Sequence, residues 1–295
     1  MRRFFKYIGL LVVVVLALML VLDAAYSYTF KHSEPRSKIQ KILQLEGAYY
    51  DYVFLGSSRT ENHIDCAIIE QLTGKSCINM GISGGSIGDM VVLMQLMQAR
   101  NVTFDQVLLQ LDYNYNSTGL SPNFKARLMP FIKEPAVSEA LTTVGLSKAE
   151  RYIPFYRYMK NDQVIGFREF VSSVLNRKPQ TDIDIGFLPK TGIGDGIATS
   201  FPMEIAASNE EVTALLDFMD SIEKSIQFFT APYCPKVQRR DAAMKQLESR
   251  VANLWNYVAV YDTQAEYYFN CGHLNKEGAQ DFSKKLANRL IQNTD

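Results

Sequence analysis

The residue types most able to do chemistry lie in three short segments that are far apart in the chain. They are Gly56–Arg59 (GSSR), Asn79–Ser86 (NMGISGGS) and Asn270–Asn275 (NCGHLN). The first offers a serine directly after the apolar run Tyr52–Leu55, on a tight turn that small residues allow. The second is a glycine-rich turn whose backbone N–H groups are free to face a developing oxyanion. The third supplies a histidine able to deprotonate a serine, so together the segments favour acyl transfer.

A fourth segment follows the same pattern. Val107–Leu111 predicts a buried strand that runs into Asp112–Asn114. The four segments, in this order, resemble the sequence blocks of the SGNH (GDSL-type) hydrolase superfamily. The resemblance covers roughly residues 48–115 and 224–292.

The resemblance implies a role for each site residue. Ser58 is the expected nucleophile and His273 the expected base, while Gly84 and Asn114 are the expected oxyanion donors. The assignment to Asn114 competes with its polar neighbours Asp112 and Asn116. We expect no cofactor and no metal.

One position departs from the family pattern. The family usually carries an aspartate three residues before the histidine, where this chain has Asn270. An asparagine can orient an imidazole through its amide oxygen but cannot stabilise an imidazolium by charge. Asp262 is an alternative orienting acid if its loop folds back towards His273.

Two further polar residues near Ser58 have open interpretations. His63 is expected to be a solvated residue near a helix start, with pocket lining as the alternative. Arg59 is expected either to bind a substrate anion or to form a surface ion pair. Capping signals at Asp65 and at Ser208 with Glu211 predict helix starts.

The elements that must position these residues alternate between strand and helix. This alternation predicts a three-layer α/β/α sandwich with a short parallel sheet, ending with a strand around Val258 and a final helix. The alternation stops at Asn114 and resumes near Ser208. We therefore expect an SGNH-like domain of residues 48–115 and 208–295, interrupted by a mainly helical inserted cap of residues 116–207.

The N-terminus predicts a membrane segment. Arg2, Arg3 and Lys6 precede the uncharged run Tyr7–Leu22, which is followed by Asp23. Sixteen helical residues span about 24 Å, and flanking aromatic residues extend this towards the ~30 Å hydrocarbon core. We expect residues 1–29 to be an uncleaved anchor and residues 30–47 a stalk, with a cleaved signal peptide as the alternative. Either way, the C-terminal domain lies outside the cytoplasm, in the periplasm or extracellular space.

The cysteines agree with an exported domain. The chain has four cysteines and no C-x-x-C pair, which disfavours a zinc site. Cys234 and Cys271 both follow predicted strands, so a bond between them would tie the histidine loop to the sheet. Four free thiols are the alternative.

The charge balance excludes one class of partner. Lys plus Arg and Asp plus Glu each number 31, and no basic stripe favours nucleic acid. Membrane-anchored members of the superfamily act on cell-envelope polymers, which implies a bacterial esterase or O-acyltransferase acting on acyl esters, acetyl above all, of a cell-envelope or exported polysaccharide. The resemblance also allows a membrane acyl-donor protein as partner. The competing hypothesis is a protein with impaired catalysis that binds glycan or assists polysaccharide assembly.

Overall fold

The structure is a computed structural model that describes residues 1–143, 145–192, 194 and 200–293. In chain order its helices and strands are α1 (Arg2–His32), α2 (Lys38–Gln44), β1 (Tyr49–Leu55), α3 (Ser58–His63), α4 (Cys66–Thr73), β2 (Cys77–Asn79), α5 (Ile87–Ala99), β3 (Thr103–Gln110), α6 (Pro122–Leu128), α7 (Pro135–Thr143), α8 (Lys148–Tyr152), α9 (Tyr156–Lys160), α10 (Asp162–Ile165), α11 (Phe167–Val174), α12 (Glu210–Ser221), β4 (Ser225–Phe229), α13 (Arg240–Arg250), β5 (Tyr268–Asn270), β6 (His273–Leu274) and α14 (Lys276–Gln292). Short 3₁₀ turns cover Tyr113–Asn116, Met129–Phe131 and Ala265–Tyr267.

The chain forms two compact units. Unit 1 contains Met1–Lys41 and Pro122–Lys178, and unit 2 contains Ile42–Ser121 and Pro179–Asp295. Unit 1 is helical, whereas unit 2 carries the sheet. The cap boundaries at residues 116 and 207 stay a prediction.

A four-stranded parallel sheet in the order β2-β1-β3-β4 forms the centre of unit 2. Phe54 of β1 pairs with Leu108 of β3 at the middle of this sheet, and both side chains are fully buried. Both strands contain a nearly continuous apolar run, which is typical of strands covered on both faces of a sheet. The α/β class and the parallel sheet are therefore confirmed.

The strand order fixes where the helices lie. The chain crosses from β1 to β2 in one direction and then passes β1 to reach β3 in the other. Because parallel crossovers are right-handed, α4 and α5 must cover opposite faces of the sheet. The packing agrees, since α3 and α4 contact α14 whereas α5 contacts α12. The winding direction reverses between β1 and β3, and the loops after two such strands form the crevice where open α/β sheets bind ligands.

One of the two predicted helix caps is present in the structure. The Asp65 side chain accepts a hydrogen bond from the N–H of Ala67 and caps α4, as predicted. The predicted cap at Ser208 is wrong by one residue, because Asn209 caps α12 by accepting from the N–H groups of Glu211 and Val212. The Glu211 carboxylate instead accepts from the N–H of Gly119 at 2.6 Å.

The predicted strand around Val258 is also wrong. A single bridge between Phe229 and Trp255 is all that continues the sheet here among the described residues. The N–H of Tyr257 donates to the hydroxyl of Thr230, and the N–H of Val258 donates to the Asn256 side chain. These side-chain acceptors take the N–H groups that a strand ladder would use, so the segment turns away.

Unit 1 is organised around the C-terminal end of α1. The helix is long and apolar enough to cross a membrane. Beyond the apolar run, Tyr26 and Phe30 are each 5% exposed and pack among aromatic side chains of unit 1. An N-terminal apolar helix is thus present, as either an anchor or a signal sequence.

Candidate active site

Ser58 lies where β1 turns into α3. Gly56 has φ = 146°, and a Cβ there would lie 2.3 Å from Oγ1 of Thr60, so the turn requires glycine. Ser57 caps α3 and Ser58 is its first residue. The turn leaves Ser58 half-buried at the end of the strand, with its hydroxyl available to other loops.

The structure brings Ser58, His273 and Asn270 into one hydrogen-bonded chain. Oγ of Ser58 is 2.8 Å from Nε2 of His273. Nδ1 of the same imidazole is 3.1 Å from Oδ1 of Asn270. With the proton on Nδ1, Nε2 is free to accept the serine proton, which is the arrangement of a nucleophile, a base and an orienting group.

A second hydrogen bond fixes the orientation of the Asn270 amide. The N–H of Gly272 donates to Oδ1 of Asn270 at 3.0 Å. A side-chain NH₂ in that position would face two donors, so the oxygen must face both Gly272 and His273. This contact sets the imidazole tautomer without a carboxylate.

The surroundings keep His273 neutral. Burial lowers the pKa of His273, and the positive charges of Arg59 and Lys190 lower it further, to about 4, although Asp112 acts in the opposite direction. The imidazole is therefore unprotonated at neutral pH.

A hairpin and a disulfide hold the histidine loop. β5 and β6 pair antiparallel and place Asn270 opposite His273. Cys271, between them, is bonded to Cys234, and the N–H of Cys234 also donates to the carbonyl of Cys271 at 3.1 Å. The predicted Cys234–Cys271 bond is confirmed. Cys66 and Cys77 form a second disulfide.

The glycine-rich loop follows β2 at the same edge of the sheet. Ile82–Gly85 is a turn in which the N–H of Gly85 donates to the carbonyl of Ile82 at 2.8 Å. Gly84 has φ = 71°, which only glycine adopts without strain at this position. Asn79 ties the loop to α3, since its amide donates to the carbonyls of Thr60 and Ile64. The role of Gly84 as oxyanion donor stays a prediction.

Asn114 lies on the loop after β3. Its Oδ1 accepts from the N–H of Asp112 at 2.9 Å, while its Nδ2 makes only a long contact of 3.5 Å with the carbonyl of Gln110. Asp112 is held by other partners, and Asn116 bonds to Glu204 and Ala206. Asn114 thus keeps the more available amide donor of these neighbours, and its role as oxyanion donor also stays a prediction.

Comparisons with known proteins add little to this geometry. No family model matches the chain, and no curated protein matches it. One of the solved structures that match is from Streptococcus pneumonia and is provisionally described as a platelet activating factor. The two share 14% identity at a TM-score of 0.38, over 95% of this chain and 98% of that chain. A likeness at that level carries no argument about this chain.

A buried polar cluster beneath Ser58 is not apparent in the sequence. Arg59 is 5% exposed and pairs with the buried Asp112 at 2.5 Å. Its guanidinium also lies between the rings of Tyr113 and Tyr233, 5.0 and 5.1 Å from their centroids. Both expectations for Arg59 were wrong. The Arg59–Asp112 pair is deeply buried, so it is neither a surface ion pair nor a site open to a substrate anion. The sequence signal that could have indicated this cluster is a polar Asp-Tyr-Asn segment after a strand, together with an Arg next to Ser58.

His63 is the second residue that sequence reasoning placed wrongly. It is fully buried rather than solvated, and its Nε2 accepts a hydrogen bond from the N–H of Leu274 at 2.9 Å. Burial lowers the pKa of His63 well below its usual value, and electrostatic interaction with His273 and with the positive charge of Arg59 acts in the same direction. A neutral His63 therefore holds the backbone directly after His273.

The alternative site residues have other partners. Asp262 forms a two-point ion pair with Arg240 at 2.5 and 2.8 Å, so it does not serve as the orienting acid. The hydroxyl of Ser57 donates to Gln110, and that of Ser86 donates to the carbonyl of Gly119. Of Ser57, Ser58 and Ser86, Ser58 is the one whose hydroxyl contacts His273.

Proposed function

We propose that this protein is a serine-dependent esterase or O-acyltransferase. The observation that carries the proposal is the contact of 2.8 Å between Oγ of Ser58 and Nε2 of His273. The resemblance to SGNH hydrolases, with its four blocks in order, supports the same reaction class.

The proposed reaction proceeds through an acyl-enzyme. Oγ of Ser58 attacks the ester carbonyl carbon while Nε2 of His273 takes the hydroxyl proton. The carbonyl π electrons move to oxygen, and the N–H groups of Ser58 and Gly84 with the Asn114 amide hold this oxyanion. The intermediate collapses, the C–O bond to the alcohol breaks, and the leaving alkoxide takes the proton from His273. Water or a second hydroxyl then reverses these steps and frees Ser58.

The proposed substrate class rests on the resemblance. Similar membrane-anchored members of the superfamily act on envelope polymers, so we propose acyl esters, acetyl above all, on an exported or cell-envelope polysaccharide. A sugar hydroxyl as acceptor would make the protein a transferase, with a membrane acyl-donor protein as partner. Tyr113, which is 38% exposed beside Asn114, offers a ring face of the kind that sugars contact.

The proposed location is a bacterial cell envelope, with α1 retained as a single membrane span. Asp23 pairs with Arg157 at 2.9 Å, and Arg157 is 4% exposed. Oγ of Ser27 also lies 2.8 Å from the hydroxyl of Tyr158. Cleavage near Ala25–Ser27 would remove Asp23 and leave the Arg157 charge buried without its partner, which costs about 3–5 kcal/mol.

A second candidate function has its own support. Asn270 brings no negative charge to His273, whose pKa is already lowered to about 4, so an imidazolium is poorly stabilised. A protein that binds acylated glycan or assists polysaccharide assembly, with slow or absent turnover, fits these two features.

The test is hydrolysis of a small acetyl ester. Ser58→Ala should abolish turnover with little change in melting temperature, whereas the matched Ser57→Ala variant should retain most of it. An inactive parent that still binds acetylated glycan would support the second candidate. Full activity in folded Ser58→Ala would refute the proposed mechanism.

A further inference from the structure

Unit 1 is fastened to α1 at the point where the apolar run of that helix ends. Asp23 is the first charged residue after Tyr7–Leu22. Its carboxylate accepts from the N–H of Phe155 at 2.9 Å and pairs with Arg157 at the same distance. Segment 155–157 therefore lies at the height of Asp23 along the helix.

The next helical turn borders an aromatic pocket of about 430 Å³. Its lining includes Tyr26, Phe155, Met159 and Phe167. Tyr26 lies four residues after Leu22, which is about 6 Å along the helix axis. A lipid headgroup layer is about 5–7 Å deep on each side of the hydrocarbon core. With the apolar run of α1 in the bilayer, the pocket lies at headgroup depth.

Large apolar side chains that line this pocket, or lie close to its lining in the chain, are exposed. Phe167 is 68% exposed, Met159 is 58% exposed, and Ile153, two residues before Phe155, is 44% exposed. We call these three residues the rim patch. Arg168, next to Phe167 in the chain, is an exposed basic residue, whereas Lys160, next to Met159, is ion-paired with Glu150 at 2.9 Å. Exposed apolar side chains with an adjacent arginine at this depth are typical of a surface that lies on anionic lipid.

We propose that the rim patch is a second membrane-contact surface, which seats unit 1 on the outer face of the bilayer that α1 crosses. Because the rim patch lies next to the end of the apolar run of α1, it contacts lipid rather than a protein partner. Ile153, Met159 and Phe167 insert among the headgroups, while Arg168 reaches the phosphates. The inference rests on the proposed retention of α1 as a membrane span.

The experiment uses the full chain in vesicles of phosphatidylethanolamine and phosphatidylglycerol, with part of the lipid brominated at shallow or deep acyl positions. Met159→Trp and Phe167→Trp report on the rim patch, and Val14→Trp reports on the membrane span. Leu72→Trp, at a 44% exposed site in unit 2, is the matched soluble control. The parent, with its single Trp255, supplies the background emission.

We expect at least twofold stronger quenching of Trp at positions 159 and 167 by shallow bromines than at position 72, and strongest quenching of position 14 by deep bromines. Quenching at position 14 but not at 159 and 167 would overturn the rim patch alone. Protection of 159 and 167 from aqueous acrylamide without lipid quenching would also overturn it, since a protein or a second copy would then cover the patch. No quenching at position 14 would overturn both the span and the patch, independently of the activity of Ser58.

Discussion

Oδ1 of Asn270 lies 3.1 Å from Nδ1 of His273 and holds the imidazole in the tautomer that a base needs. The amide therefore reproduces the orienting part of a catalytic carboxylate but not its charge. The imidazole in turn lies in surroundings that lower its pKa to about 4. In the proposed reaction, the site would thus combine a well-oriented base with weak stabilisation of the imidazolium.

Asn270→Asp should raise turnover of an acetyl ester at pH 7. A carboxylate at this position stabilises the imidazolium, and the opposite change in a serine protease costs about 10⁴ in rate. We expect a gain of about tenfold or more, smaller than that figure because Arg59 and Lys190 still oppose a positive charge. The kcat of the variant and the parent, measured with the same ester, decides this.

The pH dependence of activity provides an independent test of the same role of Asn270. The base works unprotonated, so activity falls as the pH drops through the pKa of His273, which is about 4 in the parent. A carboxylate raises that pKa, so the acid limb of Asn270→Asp should move to higher pH. Asp262→Asn, which breaks the pair with Arg240 instead, should leave the limb in place. A folded Asn270→Asp enzyme with lower activity and an unmoved limb would rule out this orienting role.

His63 should act as a positioning residue for the base. Its Nε2 accepts the N–H of Leu274, the residue after His273. His63→Leu removes the acceptor and leaves a buried N–H unpaired, which costs about 1–3 kcal/mol, so kcat should fall with little change in KM. His63→Gln offers an amide oxygen at a similar reach and should recover much of kcat. Equal losses in both variants would show that only the volume of the imidazole matters.

The Cys234–Cys271 disulfide should matter for activity more than the second one does. It closes a loop of 37 residues beside the base, against 11 residues for Cys66–Cys77. Loop-closure entropy gives about 4 and about 3 kcal/mol of stabilisation for these lengths. The double variant Cys234→Ala with Cys271→Ala should lose activity at temperatures where it is still folded, because the His273 loop is released. The double variant Cys66→Ala with Cys77→Ala is the matched control. If the two double variants were equally stable and lost the same activity, the Cys234–Cys271 bond would have no specific role in positioning His273.

The parts of the fold that depend on local sequence could be predicted. Strand β3 contains the buried apolar run Val107–Leu109, and Asp65 is a strong capping residue, so the parallel sheet and α4 could be predicted from local sequence. The strand around Val258 could not be predicted in this way. Its apolar pattern fits a strand, but Thr230 and Asn256 take the N–H groups that would pair it.

The candidate site also contains residues that the local sequence indicates and residues that it does not. Gly56 and Gly84 indicate tight turns because their backbone angles need glycine, and the serine and histidine beside such turns stand out. His63 and Arg59 look like ordinary polar surface residues in the sequence. Their burial arises from contacts with residues far along the chain, Leu274 and Asp112, which local patterns do not encode.

The N-terminal segment should remain on the mature protein. Tyr26 stacks on Phe170 with ring centroids 4.0 Å apart, and Asp23 neutralises Arg157, so the end of α1 is part of the core of unit 1. Intact mass measured on protein extracted from membranes should include residues 1–29, with or without the initiator methionine. A mass that begins near Ser27, in protein that is folded and no longer bound to membrane, would show that the segment is a cleaved signal peptide.

The central claim is that Ser58 is a live nucleophile activated by His273. The most direct measurement is covalent labelling by a fluorophosphonate, followed by mass spectrometry of the tryptic peptide that contains Ser57 and Ser58. We predict one adduct, on Ser58, retained in Ser57→Ala and lost in Ser58→Ala and in His273→Ala. Absence of labelling in folded parent protein, or an adduct on another serine, would contradict the account.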